Sequence, residues 1–198
     1  MIPEKRLIWT HPLLQVEEIL DATGRWRVVV HRGVFAAVCL HLRTSGGEEA
    51  FLLVRQHRPT QTQPFYEHPA GMLDPGESPL QAALREVAEE TGWLLSEEDL
   101  MPLTPHPLYP SPAFWHEKGY FFAARFEVPA ALLERYRTGL DRPLPDEPLH
   151  LIAVPPTQIL SLTHNLQTVA HTLLYYAHFG APDGKVPSLS AGGPSAPA

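Results

Sequence analysis

Apolar residues follow two rhythms along the chain. Three short runs, residues 26–31 (WRVVVH), 34–42 (VFAAVCLHL) and 50–55 (AFLLVR), are β-branched or aromatic and bounded by glycine or polar turns, which predicts three strands. The TSGGEE segment between the last two predicts a hairpin loop. Residues 58–69 are rich in Pro, Thr and Gln and predict irregular chain. The rhythm then becomes helical: Leu80, Ala83, Leu84 and Val87 share one face of a helix over 78–90. Ser78 caps it, Pro79 takes its first position, Gln81 completes a capping box, and Gly92 ends it. After a Pro-broken stretch come a strand over 119–126, a short helix around 130–137 and a strand over 149–154. Leu166, Val169, Ala170, Leu173, Leu174 and Ala177 then repeat with helical spacing, capped by Thr163 or Asn165 and stopped by Gly180. The expected class is α+β, a mixed sheet with helices packed against it.

Composition narrows this picture. The 198 residues suit one domain, and 44% are hydrophobic, enough to build a core. A net charge of −7 argues against nucleic acid or an anionic membrane as a partner by bulk attraction, so any phosphate handling needs local arginines or a bound cation. The single cysteine, Cys39, excludes an intramolecular disulfide and a thiolate zinc cluster, and reads as a small buried hydrophobe. The 11 histidines show no zincin spacing. No apolar run reaches the roughly 18 residues of a membrane span, and the N-terminus lacks a cleavable apolar leader, so the expected location is cytoplasmic.

The chemistry concentrates between Gly71 and Trp93, GMLDPGESPLQAALREVAEETGW. Glu86, Glu89 and Glu90 stand at i, i+3 and i+4 and share one helix face. Carboxylates 5–6 Å apart repel by roughly 3 kcal/mol per pair at an effective dielectric near 20. Lysines one turn away would relieve this, and there are none; Arg85 is expected on a different side. A hard divalent cation removes the repulsion, and oxygen ligands select magnesium or manganese over zinc.

The same segment resembles the Nudix hydrolase signature, G-x5-E-x7-R-E-U-x-E-E-x-G-U, with Gly71, Glu77, Arg85, Glu86, Val87, Glu89, Glu90 and Gly92 in register and Trp93 in the last apolar slot. The resemblance implies a Nudix-like α/β/α sandwich and a loop–helix–loop that holds divalent metal, Mg2+ or Mn2+. It implies metal ligation by Glu86, Glu90 and the carbonyl of Ala70, with Glu89 a further ligand or an aid to water activation. Glu77 and Arg85 are implied to orient the loop through a salt bridge, beside the structural glycines Gly71 and Gly92.

Flanking segments point to the ADP-ribose pyrophosphatase subfamily. VRQHRP followed by YEHPAG resembles its RQYR and ELPAG pattern, and LYPSPAFWHEKGYFFAA resembles its YPSPG stretch, including Pro110. By this resemblance Arg58 and Arg27 contact substrate phosphates, Glu117 lies near the site, and Glu67 joins the substrate-binding groups. Trp9 and Trp26 read first as core residues of their strands, with stacking on adenine as the alternative. The chain departs from the pattern in its late loop, LPDEPLHLI, where Glu147 takes the place of one family glutamate and Pro145 that of the other; the base is then Asp146, Glu147 or Glu89. The implied activity is magnesium-dependent cleavage of ADP-ribose, or a close nucleoside diphosphate sugar, to AMP and ribose 5-phosphate. Alternatives are another nucleoside diphosphate derivative or dinucleotide, and an ADP-ribose-sensing domain that does not cleave. The implied organisation is residues 1–33 as antiparallel strands exchanged in a homodimer, 34–180 as the hydrolase domain, and 181–198 as a disordered tail.

Overall fold

The computed structural model describes residues 4–144 and 148–184. The candidate bases Asp146 and Glu147, together with Pro145 and the tail beyond Gly184, lie outside the described residues. Strands β1 (Lys5–His11), β2 (Leu14–Leu20), β3 (Trp26–Arg43) and β4 (Glu49–Gln56) follow one another as antiparallel neighbours. Two three-residue strands come next, β5 (Phe65–Glu67) against β4 and β6 (Ala70–Met72) against β3. Helix α1 (Pro79–Thr91) and strand β7 (Met101–Pro102) lead to β8 (Trp115–Glu127), which lies parallel to β3. Helix α2 (Ala130–Arg137), β9 (Leu140–Arg142), β10 (Leu149–Val154), α3 (Ile159–Leu162) and α4 (Leu166–Phe179) complete the described chain. All ten strands described belong to one mixed sheet, so the class is α+β as expected.

The pleat of β3 explains the layering. Ala36, Val38, Leu40 and Leu42 point to a core shared with Ala83 and Val87 of α1 and Leu133 and Tyr136 of α2. Phe35, Ala37 and Cys39 point the other way, to a core with Ile159, Tyr175 and Tyr176. A strand buried on both faces is continuously apolar, which is why 34–42 shows no alternation. Helices therefore cover both faces, and each fully buried leucine contributes about 1.5–3 kcal/mol. Among the described residues no helix is long and apolar enough to cross a membrane.

Three expectations need correction. Residues 26–31 and 34–42 are one strand rather than two. Gly33, expected at a turn between them, has φ 109°, which lets the strand continue through a bulge. Against β8, His31 faces His116 and Gly33 faces Glu117, so Arg32 is the extra residue. The strand expected over 119–126 runs from Trp115 to Glu127, because β3 supplies a ladder along its length. The irregular stretch 58–69 contains β5 at its end, held by β4 despite its weak local signal.

Candidate active site

Local bonding sets α1 in place. The Ser78 hydroxyl accepts from Gln81 N–H at 3.2 Å, and the Gln81 side chain accepts from Ser78 N–H at 2.9 Å. Gly92, left-handed at φ 79°, closes the helix with its N–H donating to Ala88. Arg85 does not stand apart from the acidic face, contrary to expectation. Its Nη1 donates to Glu86 at 2.7 Å and to Glu89 at 3.1 Å, while Nε and Nη2 grip Glu77 at 3.0 and 2.9 Å. A long guanidinium stem reaches both an adjacent carboxylate and one a turn away, which helix angles at the backbone do not convey. Arg85 Nη2 also donates to the Met72 carbonyl at 2.9 Å, which ties α1 to β6. The same arginine lowers the Glu77 pKa.

Glu86 and Glu90 press against β6. Gly71 has no side chain, and a Cβ there would sit 1.9 Å from Glu86 Oε1, so the glycine makes room for the carboxylate. Ala70 N–H donates to Glu90 at 3.2 Å. Burial pushes the Glu90 carboxyl up to about 8, reinforced by neighbouring Glu86 and Glu67 and opposed by Ala70 N–H and Arg58. Glu86 is raised by burial and held back by Arg85. Two carboxyls that resist ionising side by side fit a hard cation, and the donors are all oxygen. Among the described residues no three acidic or histidine side chains converge tightly enough to hold an ion alone. Glu86, Glu90 and the Ala70 backbone are the oxygen groups that this wall offers to a cation. Glu89 is about half exposed and bound to Arg85.

Beside β6 opens a cavity of about 600 Å³ whose walls include Arg32, Arg58, Glu67, Glu117, His68 and His171. Ala70, Gly71 and Met72 line it as well, so one three-residue strand touches both the acidic helix and the cavity. Glu67 is buried and accepts from Gln56, from Arg58 Nη2 at 2.6 Å, and from Asn165. Glu117 is buried and accepts from Arg32 Nη1 at 3.0 Å and Trp115 Nε1 at 3.2 Å. His171 Nε2 meets the Phe122 carbonyl at 2.8 Å, a neutral ring's N–H donation, and burial holds its pKa at about 4. His68 packs edge-on to it with centroids 4.6 Å apart and is held well below the usual range by burial.

The fold thus brings Arg58, Glu67, Glu117 and Ala70 to one cavity, with Glu86 and Glu90 against its β6 wall. Arg27 is not among the cavity residues; it pairs with Asp21 at 2.9 Å. Trp9 stacks on His11 and Trp26 lies under Arg6, both away from the cavity lining. Arg32, His68, Asn165 and His171 belong to the cavity, and sequence reasoning does not place them there. For Arg32 the available signal is the HRG turn beside a strand, and for His68 it is a histidine in the leucine place of ELPAG. Asn165 is expected only as a helix cap, which it also is, accepting from Gln167 N–H at 2.7 Å.

The NUDIX domain family model matches residues 33–173. The chain is 35% identical over 114 residues to the ADP-ribose pyrophosphatase of Bacillus subtilis (strain 168), covering 56% of this chain and 57% of that protein. It is 33% identical over 93 residues to the methanol dehydrogenase activator of Bacillus methanolicus, covering 42% and 48%. A 45-residue segment is 51% identical to the ADP-sugar pyrophosphatase of Mus musculus, covering 23% and 21%. These matches span from about a fifth to under three fifths of the relatives' lengths. A crystal structure of an ADP compounds hydrolase superposes with TM-score 0.62 at 22% identity, over 91% of this chain and 97% of that one, a likeness of fold.

Proposed function

The chain belongs to the NUDIX domain family, and from that premise we propose that it is a magnesium-dependent pyrophosphohydrolase. Its substrate in this reading is ADP-ribose or a close nucleoside diphosphate sugar, cleaved to AMP and ribose 5-phosphate. The observation that carries it is the placement of the acidic helix and an arginine-bearing cavity on the two sides of β6. Nudix hydrolases generally use divalent metals, and a cation bound by Glu86, Glu90 and the Ala70 backbone would supply positive charge to the phosphate oxygens. Arg58 presents a planar fork to those oxygens while Glu67, fixed by Gln56 and Asn165, holds the guanidinium at the cavity. Glu89, half exposed and paired with Arg85, is the described candidate to take a proton from the attacking water, and Asp146 and Glu147 are the other candidates for that role. Homodimerisation with exchange of the N-terminal strands belongs to the same reading; Leu7, Ile8, Trp9 and Leu13 are exposed on that hairpin, as an interface would require.

The test is incubation with ADP-ribose and magnesium with phosphorus-resolved product detection, for wild type and Glu90→Gln. AMP and ribose 5-phosphate should form, and the substitution should slow turnover by at least about 100-fold, the scale of losing one electrostatic group at the reacting centre. Undiminished turnover would remove Glu90 from the ligand set. Tight ADP-ribose binding without products would turn the reading to a sensing domain.

A further inference from the structure

We propose that the chain has a second ligand site, one that binds a phosphate group, in a cavity built around Arg55. Its volume is about 380 Å³, and it lies where β4, β9 and β10 end or begin. Among the described residues it shares no wall with the cavity beside β6. Strand register assembles it. Asp141, His150, Arg55 and Tyr66 are successive partners across β9, β10, β4 and β5, so one row of side chains crosses the sheet on one face. Neighbouring strands lie about 4.8 Å apart, which sets Arg55 between the side chains of His150 and Tyr66.

Charge gives the second line of argument. Arg55 is half-buried, and among the described residues its guanidinium makes no hydrogen bond or ion pair. A guanidinium keeps its charge in any protein and carries five donors, so a wall that draws it out of water leaves that charge for a ligand to meet. Arg142 adds a second, fixed cation. Its Nε donates to the Glu89 carbonyl at 2.9 Å and its Nη2 to the Ala88 carbonyl at 3.2 Å. Carbonyls carry no formal charge, so they hold this guanidinium in place without cancelling it. Asp141, the one carboxylate among the described wall residues, is already paired with His150 Nδ1 at 2.7 Å. The first cavity is balanced differently, for Arg58 has Glu67 there and Arg32 has Glu117. In a chain of net charge −7, two guanidiniums gathered beside one carboxylate select an anion. Two planar forks engage three or more oxygens, which a phosphate offers and a carboxylate does not. The volume also leaves room for a small organic group carried on the phosphate.

The test is calorimetry on the full chain in EDTA, without divalent metal, so that its result does not depend on hydrolysis. Ribose 5-phosphate is titrated in one arm and inorganic phosphate in another. Variants are Arg55→Gln and Arg55→Met, which remove no hydrogen bond among the described residues and keep an unbranched stem in the strand. Arg58→Gln probes the first cavity, and Arg125→Gln, on β8 and in neither wall, controls for the loss of one charge. Each Arg55 variant should weaken binding by about 10- to 100-fold, the worth of a charge-assisted hydrogen bond, while Arg58→Gln and Arg125→Gln stay within about threefold. Tighter binding of ribose 5-phosphate than of inorganic phosphate assigns the site to a phosphate monoester, and equal affinity assigns it to the free anion; either result sustains the proposal. Affinity within about threefold of wild type in both Arg55 variants overturns it, as does a wild type that binds neither ligand at millimolar concentration. Equal losses in Arg55→Gln and Arg58→Gln overturn it too. A single site in the first cavity, disturbed through the bond from Gln56 to Glu67, would then explain both.

Discussion

The two sides of β6 are built by different means. On the acidic side, the bonds that fix the functional groups are local: Ser78 to Gln81, Arg85 to Glu77, and Ala70 to Glu90, three, eight and twenty residues apart. On the cavity side they are remote: Arg32 to Glu117 across 85 residues, Asn165 to Glu67 across 98, and His68 to Thr172 across 104. The acidic helix can arrange its own carboxylates once the chain turns at Pro75 and Gly76 and the helix starts after Ser78. The cavity exists only when β3, β5, β8 and α4 have all docked. Damage on the first side should therefore appear in activity alone, and damage on the second in activity and stability together.

The largest separation of the two is expected from Gly71→Ala. The added Cβ would meet the Glu86 carboxylate at 1.9 Å, and that carboxylate is the far end of a flexible side chain. It can swing aside without moving the backbone, so melting temperature should hold within a few degrees. A carboxylate displaced by an ångström or more costs about 100-fold in turnover. A fall in melting temperature that matched the loss of activity would break the distinction between the two sides.

Next in size is Asn165→Ala, which acts on the cavity side. Asn165 caps α4 through Gln167 N–H at 2.7 Å and Thr168 N–H at 3.2 Å while its amide also donates to Glu67. Losing a cap costs about 1 kcal/mol and a hydrogen bond to a charged group about as much again, so urea unfolding should report roughly 2 kcal/mol of lost stability. Asn165→Asp keeps the cap but sets a second carboxylate against Glu67. It should recover little, and full recovery would show that capping alone matters.

The same contrast explains what can be read from the chain alone. Helix α1 with its capping box, α2 over 130–137, β10 over 149–154 and α4 ending at Gly180 are each specified by residues within a few positions, and each is where its own sequence places it. The signature carboxylates are legible for that reason. The place of Arg32 on the cavity wall is not, because it depends on a bulge whose register is set by β8, more than eighty residues downstream. The strands β5 and β6 are too short to show periodicity and form only as additions to β4 and β3. Arg85 escapes a helical-angle argument because the direction of a Cβ on a helix says little about where a long side chain ends.

The smallest effect is the share of the pH dependence that His171 gives the cavity side. Buried His171 has a folded pKa of about 4 against 6.5 for the exposed ring. Between those values the unfolded chain binds more protons than the folded one, so stability rises with pH across this window. The contribution is fully present above pH 6.5 and is lost as pH falls toward 4. For one such ring the loss from pH 8 to pH 6 is about 0.8 kcal/mol, growing to about 2 kcal/mol by pH 5. His68, depressed by burial, and His41, held at about 4 chiefly by burial, add slopes of the same sign, while Glu90, raised to about 8, adds one of opposite sign, so wild type alone cannot isolate His171. His171→Gln can, since its amide still offers a donor to the Phe122 carbonyl but does not titrate. Between pH 8 and pH 5 the variant should gain stability relative to wild type by that difference, read from urea unfolding at pH 8, 6 and 5. Identical slopes would mean that His171 is charged inside the fold and that the cavity wall beside it is not neutral.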